Sequence, residues 1–135
     1  SIRLVAAGGG APTFDANGEV WGRLELFVGG EWVTVHRGGF YDEEAEVGCR
    51  QLGNELGYTL VSWDFVHYSD TPLGSGTQYR AYECKGNEDD LSRCEIFEES
   101  PMFIHTEDIG LRCSFAIAGD ECVECPPGKY RYACA

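Results

Sequence analysis

The cysteines constrain this chain more than any other feature of its sequence. Seven of them occur within 135 residues, at positions 49, 84, 94, 113, 122, 125 and 134. Such a density in a short chain is typical of proteins from oxidising compartments, where disulfides form and persist. Because the count is odd, at least one thiol is free or has its partner outside this chain. The spacing by itself leaves the pairing open.

The last three cysteines stand apart from the rest. They are Cys122, Cys125 and Cys134, and they cannot all pair with one another. We interpret residues 116–135 as a linker followed by the start of a truncated cysteine-rich module. No apolar segment has the length of a membrane span and no signal peptide is recognised. We therefore expect an excised or mature piece of a longer exported protein.

The charge of the chain excludes some classes of partner. Its 23 acidic and 10 basic residues give a formal net charge of −13. A surface this acidic repels phosphate backbones and anionic lipids, so nucleic-acid binding and membrane-surface binding are not expected. Direct membrane insertion is not expected either, because no apolar segment is long enough. Basic partners and calcium remain compatible with the charge, and so does a role in solubility alone.

Residues 42–53 carry the strongest helix signal. Asp42 is expected to be the N-cap, and Gly53 is expected to end the helix. Apolar residues recur at helical spacing at Ala45, Cys49, Leu52 and Leu56. Acidic residues follow the predicted N-cap at Glu43, Glu44 and Glu46. We interpret these acids as a solvated helix N-terminus, which complements the helix dipole, and not as a cation site.

Short β-branched or alternating segments predict strands around this helix. They lie at residues 2–6, 22–28, 31–35, 58–62, 79–84 and 109–115. Residues 87–94 are expected to form one helical turn, and residues 95–107 an irregular segment. Strands that flank one main helix indicate an α+β fold.

Residues 63–76 are predicted to form a long aromatic loop. Its candidate binding residues are Trp63, Phe65, Tyr68 and Leu73. Exposed Trp and Tyr side chains favour protein interfaces. We interpret these side chains first as a lid that covers the core, and an exposed contact patch is the alternative.

We predict no catalytic residue, metal or cofactor. The sequence contains no paired acids, nucleophile motif, phosphate loop or complete metal motif. Cys49 lies in an apolar stripe and is expected to be structural, and Cys122-x-x-Cys125 has no second pair at metal-ligand spacing.

Five motifs in order resemble those of the scavenger receptor cysteine-rich (SRCR) domain. They are IRLVAAGG, GRLELFVGGEWVTV, EEAEVGCRQLG, PLGSG with YECKGNEDDLSRC, and HTEDIGLRC, and they span residues 1–114. The resemblance implies a curved antiparallel β-sheet that cradles one α-helix, with residues 1–115 as the domain. It also implies two disulfides, Cys49–Cys113 and Cys84–Cys94.

The chain departs from the family pattern at a third disulfide. His36 stands where the family usually has a cysteine, and no cysteine is present near Phe103, where its partner would be. Both halves of one bridge are thus missing together. We expect His36 and residues 102–104 to approach one another still, through packing instead of a disulfide.

The chain also departs from the family at its usual calcium site. Arg37 and Gly38 stand where many members have two aspartates, while Glu107 keeps the family's glutamate. Calcium needs several oxygen ligands, which an arginine does not supply. We predict that Arg37 replaces the cation and pairs with Glu107 or Asp108, so calcium binding at this place is disfavoured.

Together these features predict a non-catalytic extracellular module that binds a protein ligand or neighbouring domains. The parent would be a secreted or membrane-anchored multidomain protein, such as a receptor or an adhesion protein. The alternative is a structural building block of an extracellular matrix, coat or filament. In the first case, we expect the aromatic loop and the acidic surface near it to make the contact.

Overall fold

A seven-stranded sheet and one α-helix form the fold in the computed structural model, which describes residues 1–68, 74–99 and 103–116. The strands are β1 (Ile2–Val5), β2 (Glu19–Val28), β3 (Glu31–Val35), β4 (Thr59–Tyr68), β5 (Gln78–Tyr82), β6 (Glu95–Glu98) and β7 (Asp108–Ala116). Helix α1 spans Asp42–Leu56, and short 3-10 helices span Leu91–Arg93 and His105–Glu107. This arrangement confirms the predicted α+β fold, a curved sheet that cradles one helix.

The strand order is β4-β7-β2-β3-β5-β6, and β1 pairs with β2. Every pairing is antiparallel except that of β3 with β5. The Gly29-Gly30 turn between β2 and β3 has positive φ at both residues, which a tight hairpin of this kind requires. Within the described residues, β1, β4 and β6 each pair with one strand only, so each lies at an edge of the sheet.

Helix α1 packs on the sheet through its apolar stripe. Ala45, Cys49 and Leu52 are buried there, whereas Leu56 is exposed at the end of the helix. The Cys49–Cys113 disulfide joins α1 to the centre of β7. In the chain-entropy model, closing a loop of this length stabilises the fold by roughly 4 kcal/mol.

Both predicted ends of the helix are wrong by a few residues. Tyr41 is the N-cap in place of Asp42, and the helix continues past Gly53 to end at Gly57, which has φ 78°. Gly53 serves close packing instead, because a Cβ there would lie 2.8 Å from Phe115 and 2.9 Å from the Tyr58 carbonyl oxygen.

The interpretation of the acidic first turn is wrong for Glu44. This side chain is buried, and its carboxylate accepts hydrogen bonds from the N–H groups of Tyr41 and Cys84, each at 2.7 Å. Glu44 thereby joins the start of the helix to the segment after β5. The helical period alone did not reveal this distant donor.

The predicted loop at residues 63–76 is wrong over its first part. β4 continues to Tyr68, with Trp63 opposite Cys113 and Phe65 opposite Leu111 on β7. These two aromatic side chains face the core side of the sheet and are half-buried against it. Residues 69–73 lie outside the described residues.

The segment predicted to be irregular contains two ordered elements, β6 and the 3-10 helix at His105–Glu107. β6 was missed because its four residues, EIFE, carry too little apolar pattern to indicate a strand. Its pairing with β5 is a tertiary contact that local sequence does not specify.

Candidate functional site

Both disulfides that the resemblance implies are present. Cys49 and Cys113 lie 5.6 Å apart between their Cα atoms, and Cys84 and Cys94 lie 4.9 Å apart. All four described cysteines are therefore structural and offer no thiol nucleophile. The tail cysteines Cys122, Cys125 and Cys134 lie outside the described residues.

His36, at the position of the missing cysteine, has an orientation and tautomer set by its neighbours. The Gly38 N–H donates to its Nδ1 at 2.8 Å, so this nitrogen is an acceptor without a proton. The proton of the neutral ring is then on Nε2, which lies 2.9 Å from Glu107 Oε2. The histidine thus donates a hydrogen bond to Glu107.

Arg37 occupies the place predicted for it beside Glu107. Its Nη2 lies 3.1 Å from Glu107 Oε1, and its backbone N–H donates to the Glu107 carbonyl oxygen at 2.8 Å. On the other side, Nη1 lies 3.4 Å from Nδ1 of His67. Arg37 is 41% exposed at its side chain, so the ion pair lies at the surface.

Asp108 does not pair with Arg37, so that alternative is wrong. Its carboxylate is fully buried. It accepts a hydrogen bond from the Gln78 amide at 2.7 Å and lies 3.1 Å from Nδ1 of His105. Glu107 ends the 3-10 helix and Asp108 begins β7, and the two side chains have separate partners.

The neighbours of Glu107 favour its charged form. The hydrogen bond from His36 lowers the pKa of Glu107 most, partial burial opposes this effect, and the nearby charge of Arg37 lowers the pKa further. A carboxylate held in this way at the surface is a fixed acceptor and not a proton donor at neutral pH.

Gln78 tethers the segment that lost its cysteine. Its amide nitrogen donates to the Ile104 carbonyl oxygen at 2.9 Å, and its amide oxygen accepts from the Ile104 N–H at 3.1 Å. The fully buried Gln78 side chain thus satisfies both main-chain hydrogen-bonding groups of Ile104, as the backbone of a paired strand residue would. Of the residues expected to approach His36, Met102 lies outside the described residues, and Ile104 is held by Gln78.

Gln78 was not predicted as a site residue, because no local signal in the sequence distinguishes it from any other glutamine in a strand. His105 supports the same segment: its Nε2 lies 2.9 Å from the Gly76 carbonyl oxygen, and its Nδ1 lies 3.3 Å from the Thr34 hydroxyl. These contacts hold the turn that presents Glu107.

The aromatic candidates are only partly at the surface. Trp63 and Phe65 are half-buried in β4, and the Phe65 ring contacts the Tyr41 ring edge-on at 6.3 Å between centroids. Tyr41 is 61% exposed and was not predicted as a binding residue. Tyr68 belongs to β4 by its backbone, while its side chain and Leu73 lie outside what the structure describes.

Within residues 1–68, 74–99 and 103–116, no group of three or more His, Cys, Asp or Glu side chains is arranged to hold a metal ion. The helix in this part of the chain is too short and too polar to cross a membrane.

Comparisons with known proteins agree with this geometry. The family model for the scavenger receptor cysteine-rich domain matches residues 14–114. Lysyl oxidase homolog 2B of Danio rerio is 34% identical over 97 residues, which are 69% of this chain. Lysyl oxidase homolog 2 of Rattus norvegicus is 32% identical over 98 residues, which are 73% of it. The match spans 12% of each relative's length.

Two solved structures have a similar fold. The SRCR domain of mouse MARCO, in a dimeric form, superimposes with a TM-score of 0.60 at 28% identity, covering 72% of this chain and 89% of that domain. The third SRCR domain of murine neurotrypsin gives 0.57 at 28% identity, covering 87% and 98%.

Proposed function

The chain belongs to the scavenger receptor cysteine-rich domain family, and from this we propose that it is a non-catalytic protein-interaction module of a larger extracellular protein. The two disulfides and the absence of a free thiol among the described cysteines support an oxidising, extracellular setting. The curated relatives are named lysyl oxidase homologues, and the match spans 12% of their length. In a parent of that kind, catalysis would belong to other domains.

We propose that the contact is made by one continuous surface, which we call the Arg37 surface. It comprises Arg37, Tyr41, Phe65, His67 and Glu107. Phe65 and His67 are two residues apart on β4 and therefore lie on the same side of the strand. Phe65 contacts Tyr41, and His67 contacts Arg37, which pairs with Glu107. Exposed tyrosine and arginine side chains are the types that contribute most to protein interfaces.

The observation that carries this proposal is the position of the Arg37 guanidinium, 3.1 Å from the Glu107 carboxylate. A cation would need that carboxylate as a ligand, and the fixed charge of Arg37 repels it. Binding at this surface would therefore require no calcium. The Arg37–Glu107 pair is neutral overall, and the whole chain has a net charge of −13. The surface therefore suits neutral or basic partners.

The test is capture of extracellular proteins by the immobilised chain in the presence of EDTA. Arg37→Ala and Tyr41→Ala should each lose the captured proteins while remaining folded at the temperature of the assay. Arg112→Ala is the matched control, because this arginine is similarly exposed, with 44% of its side chain accessible, on the opposite face of the sheet. Equal capture by all variants, or capture that needs calcium, would overturn the proposal.

A further inference from the structure

The β6 edge of the sheet has no role in the function proposed above. β6 pairs with β5 on one side, and the described residues provide no strand on its other side. Glu95, Phe97 and Glu98 are exposed, and Phe97 reaches 45%. An open strand edge presents main-chain groups that another chain can pair with.

The register identifies which main-chain groups face outwards. The Glu99 N–H donates to the Gln78 carbonyl oxygen at 2.7 Å, so these two residues form a hydrogen-bonded pair next to the end of β6. Hydrogen-bonded pairs alternate along an antiparallel ladder, so Phe97 and Glu95 also direct their main-chain groups to β5. Ile96 and Glu98 must then direct their N–H and C=O groups to the open edge.

Charge around this edge selects the kind of strand that could join it. Residues 83–99 contain seven acidic and two basic residues. Of the acids close to the edge, Glu99 is already paired with Arg80, while Glu95 and Glu98 are exposed. Like charges directly opposite one another destabilise a strand pair. A second copy of β6 would bring glutamates together and is therefore disfavoured.

The side chains along the edge favour apolar residues in the middle of a joining strand. Ile96 is half-buried on the core side, opposite Ala81. Phe97 lies on the outer side, edge-on to Tyr82 at 5.7 Å between ring centroids. A joining strand would place side chains beside each residue of EIFE on the same face of the sheet.

We propose that the β6 edge accepts an extended basic segment of a partner protein, which pairs with Ile96 and Glu98 as an added strand. The segment would carry the pattern basic–apolar–apolar–basic, with its basic residues beside Glu95 and Glu98. Main-chain hydrogen bonds would give affinity, and the four side chains would give specificity. This site is separate from the Arg37 surface.

The experiment uses the complete 135-residue chain labelled with ¹⁵N and the capped peptide Thr-Lys-Phe-Val-Lys-Thr. At a peptide concentration about ten times its Kd, exchange of the Ile96 and Glu98 amide protons with water should slow about tenfold. The same peptide with glutamates in place of lysines should give no protection. A version N-methylated at the amides that would face β6 should also fail, because its charges are unchanged but it cannot donate hydrogen bonds.

Variants of the chain separate the edge from general acidity. Glu98→Lys should weaken binding of the basic peptide about fivefold, since an attraction between exposed charges becomes a repulsion. Asp89→Lys makes the same charge change outside β6 and should leave most of the affinity intact. Arg37→Ala should bind the peptide normally, so this proposal and the proposed function can fail independently.

Any of four results would overturn the inference. The first is equal binding of the N-methylated peptide, and the second is equal weakening of binding by Asp89→Lys and Glu98→Lys. The third is no protection of the Ile96 and Glu98 amides, either by the lysine peptide or by versions with Tyr or Ile at its apolar positions. The fourth is protection of β4 amides instead of β6 amides, which would assign strand addition to a different edge.

Discussion

Replacement of Gln78 by leucine tests how much one buried amide contributes to the stability of the fold by holding the segment at Ile104. In the wild-type chain this amide makes two hydrogen bonds with the Ile104 main chain and one with the Asp108 carboxylate. Leucine has a similar volume, so the substitution removes these bonds without opening a large cavity.

The expected loss of stability follows from the burial of each partner. Ile104 is 41% exposed, so water can partly replace its bonds, and each is worth about 1 kcal/mol. Asp108 is fully buried, so removing this donor from its carboxyl group costs about 2 kcal/mol. The greater apolar transfer energy of leucine returns about 1 kcal/mol. We therefore expect a net loss of about 3 kcal/mol, a large part of the stability of a domain of this size.

The assay is equilibrium unfolding in urea without reductant, monitored by tryptophan fluorescence. Gln51→Leu is the matched control, because the Gln51 amide oxygen accepts a single hydrogen bond, from the Leu91 N–H at 3.0 Å. It should cost about 1 kcal/mol. Gln78→Leu should also speed hydrogen exchange at the Ile104 amide. If the two leucine variants lose equal stability, the reasoning about Gln78 is refuted.

Three further substitutions test other parts of the structure. Arg37→Asp should create weak calcium affinity with Glu107, with a Kd of about 1 mM by calorimetry, whereas the wild type should release no heat; binding by the wild type would contradict the role assigned to Arg37. Glu107→Gln should be less stable than the wild type at neutral pH. Because contacts with His36 and Arg37 lower the pKa of Glu107 in the folded state, its contribution is fully present above the ordinary pKa of 4.5 and is lost as the pH falls through the lowered value. A difference between the two proteins that does not narrow as the pH falls below 4.5 would refute this assignment. Glu83 has φ 55° in the left-handed region, so Glu83→Gly should raise stability by up to about 1 kcal/mol in thermal unfolding, and Glu83→Ala, which keeps the strain, should not; equal effects would argue against strain at this position.

Much of the fold was predictable because it depends on local pattern or on the spacing of motifs. Residues 31–35 form a strand as predicted. The ordered motifs identified the family, and through it the two disulfides that the structure contains. The predicted pairing of Arg37 with Glu107 likewise came from comparing two positions with the family pattern.

Other features were not predictable, because they depend on contacts between residues far apart in the chain. Glu44 appeared to belong to a solvated helix start, yet it is buried because the segment at Cys84 packs against it. Residues 63–68 appeared to be a loop, yet they form a strand because β7 lies beside them. The tether at Gln78 had no signal in its own segment.

The sequence by itself determined the family, the α+β class and the apolar stripe of the helix. Helical periodicity, cysteine positions and ordered motifs are properties of the chain that do not require coordinates. Only the tertiary structure decided which polar groups surround His36 and Ile104, which acid pairs with Arg37, and which strands lie at the edges of the described sheet. Those outcomes depend on the distance between side chains and on the face of a strand to which each one points, and both are determined when the sheet closes around the helix.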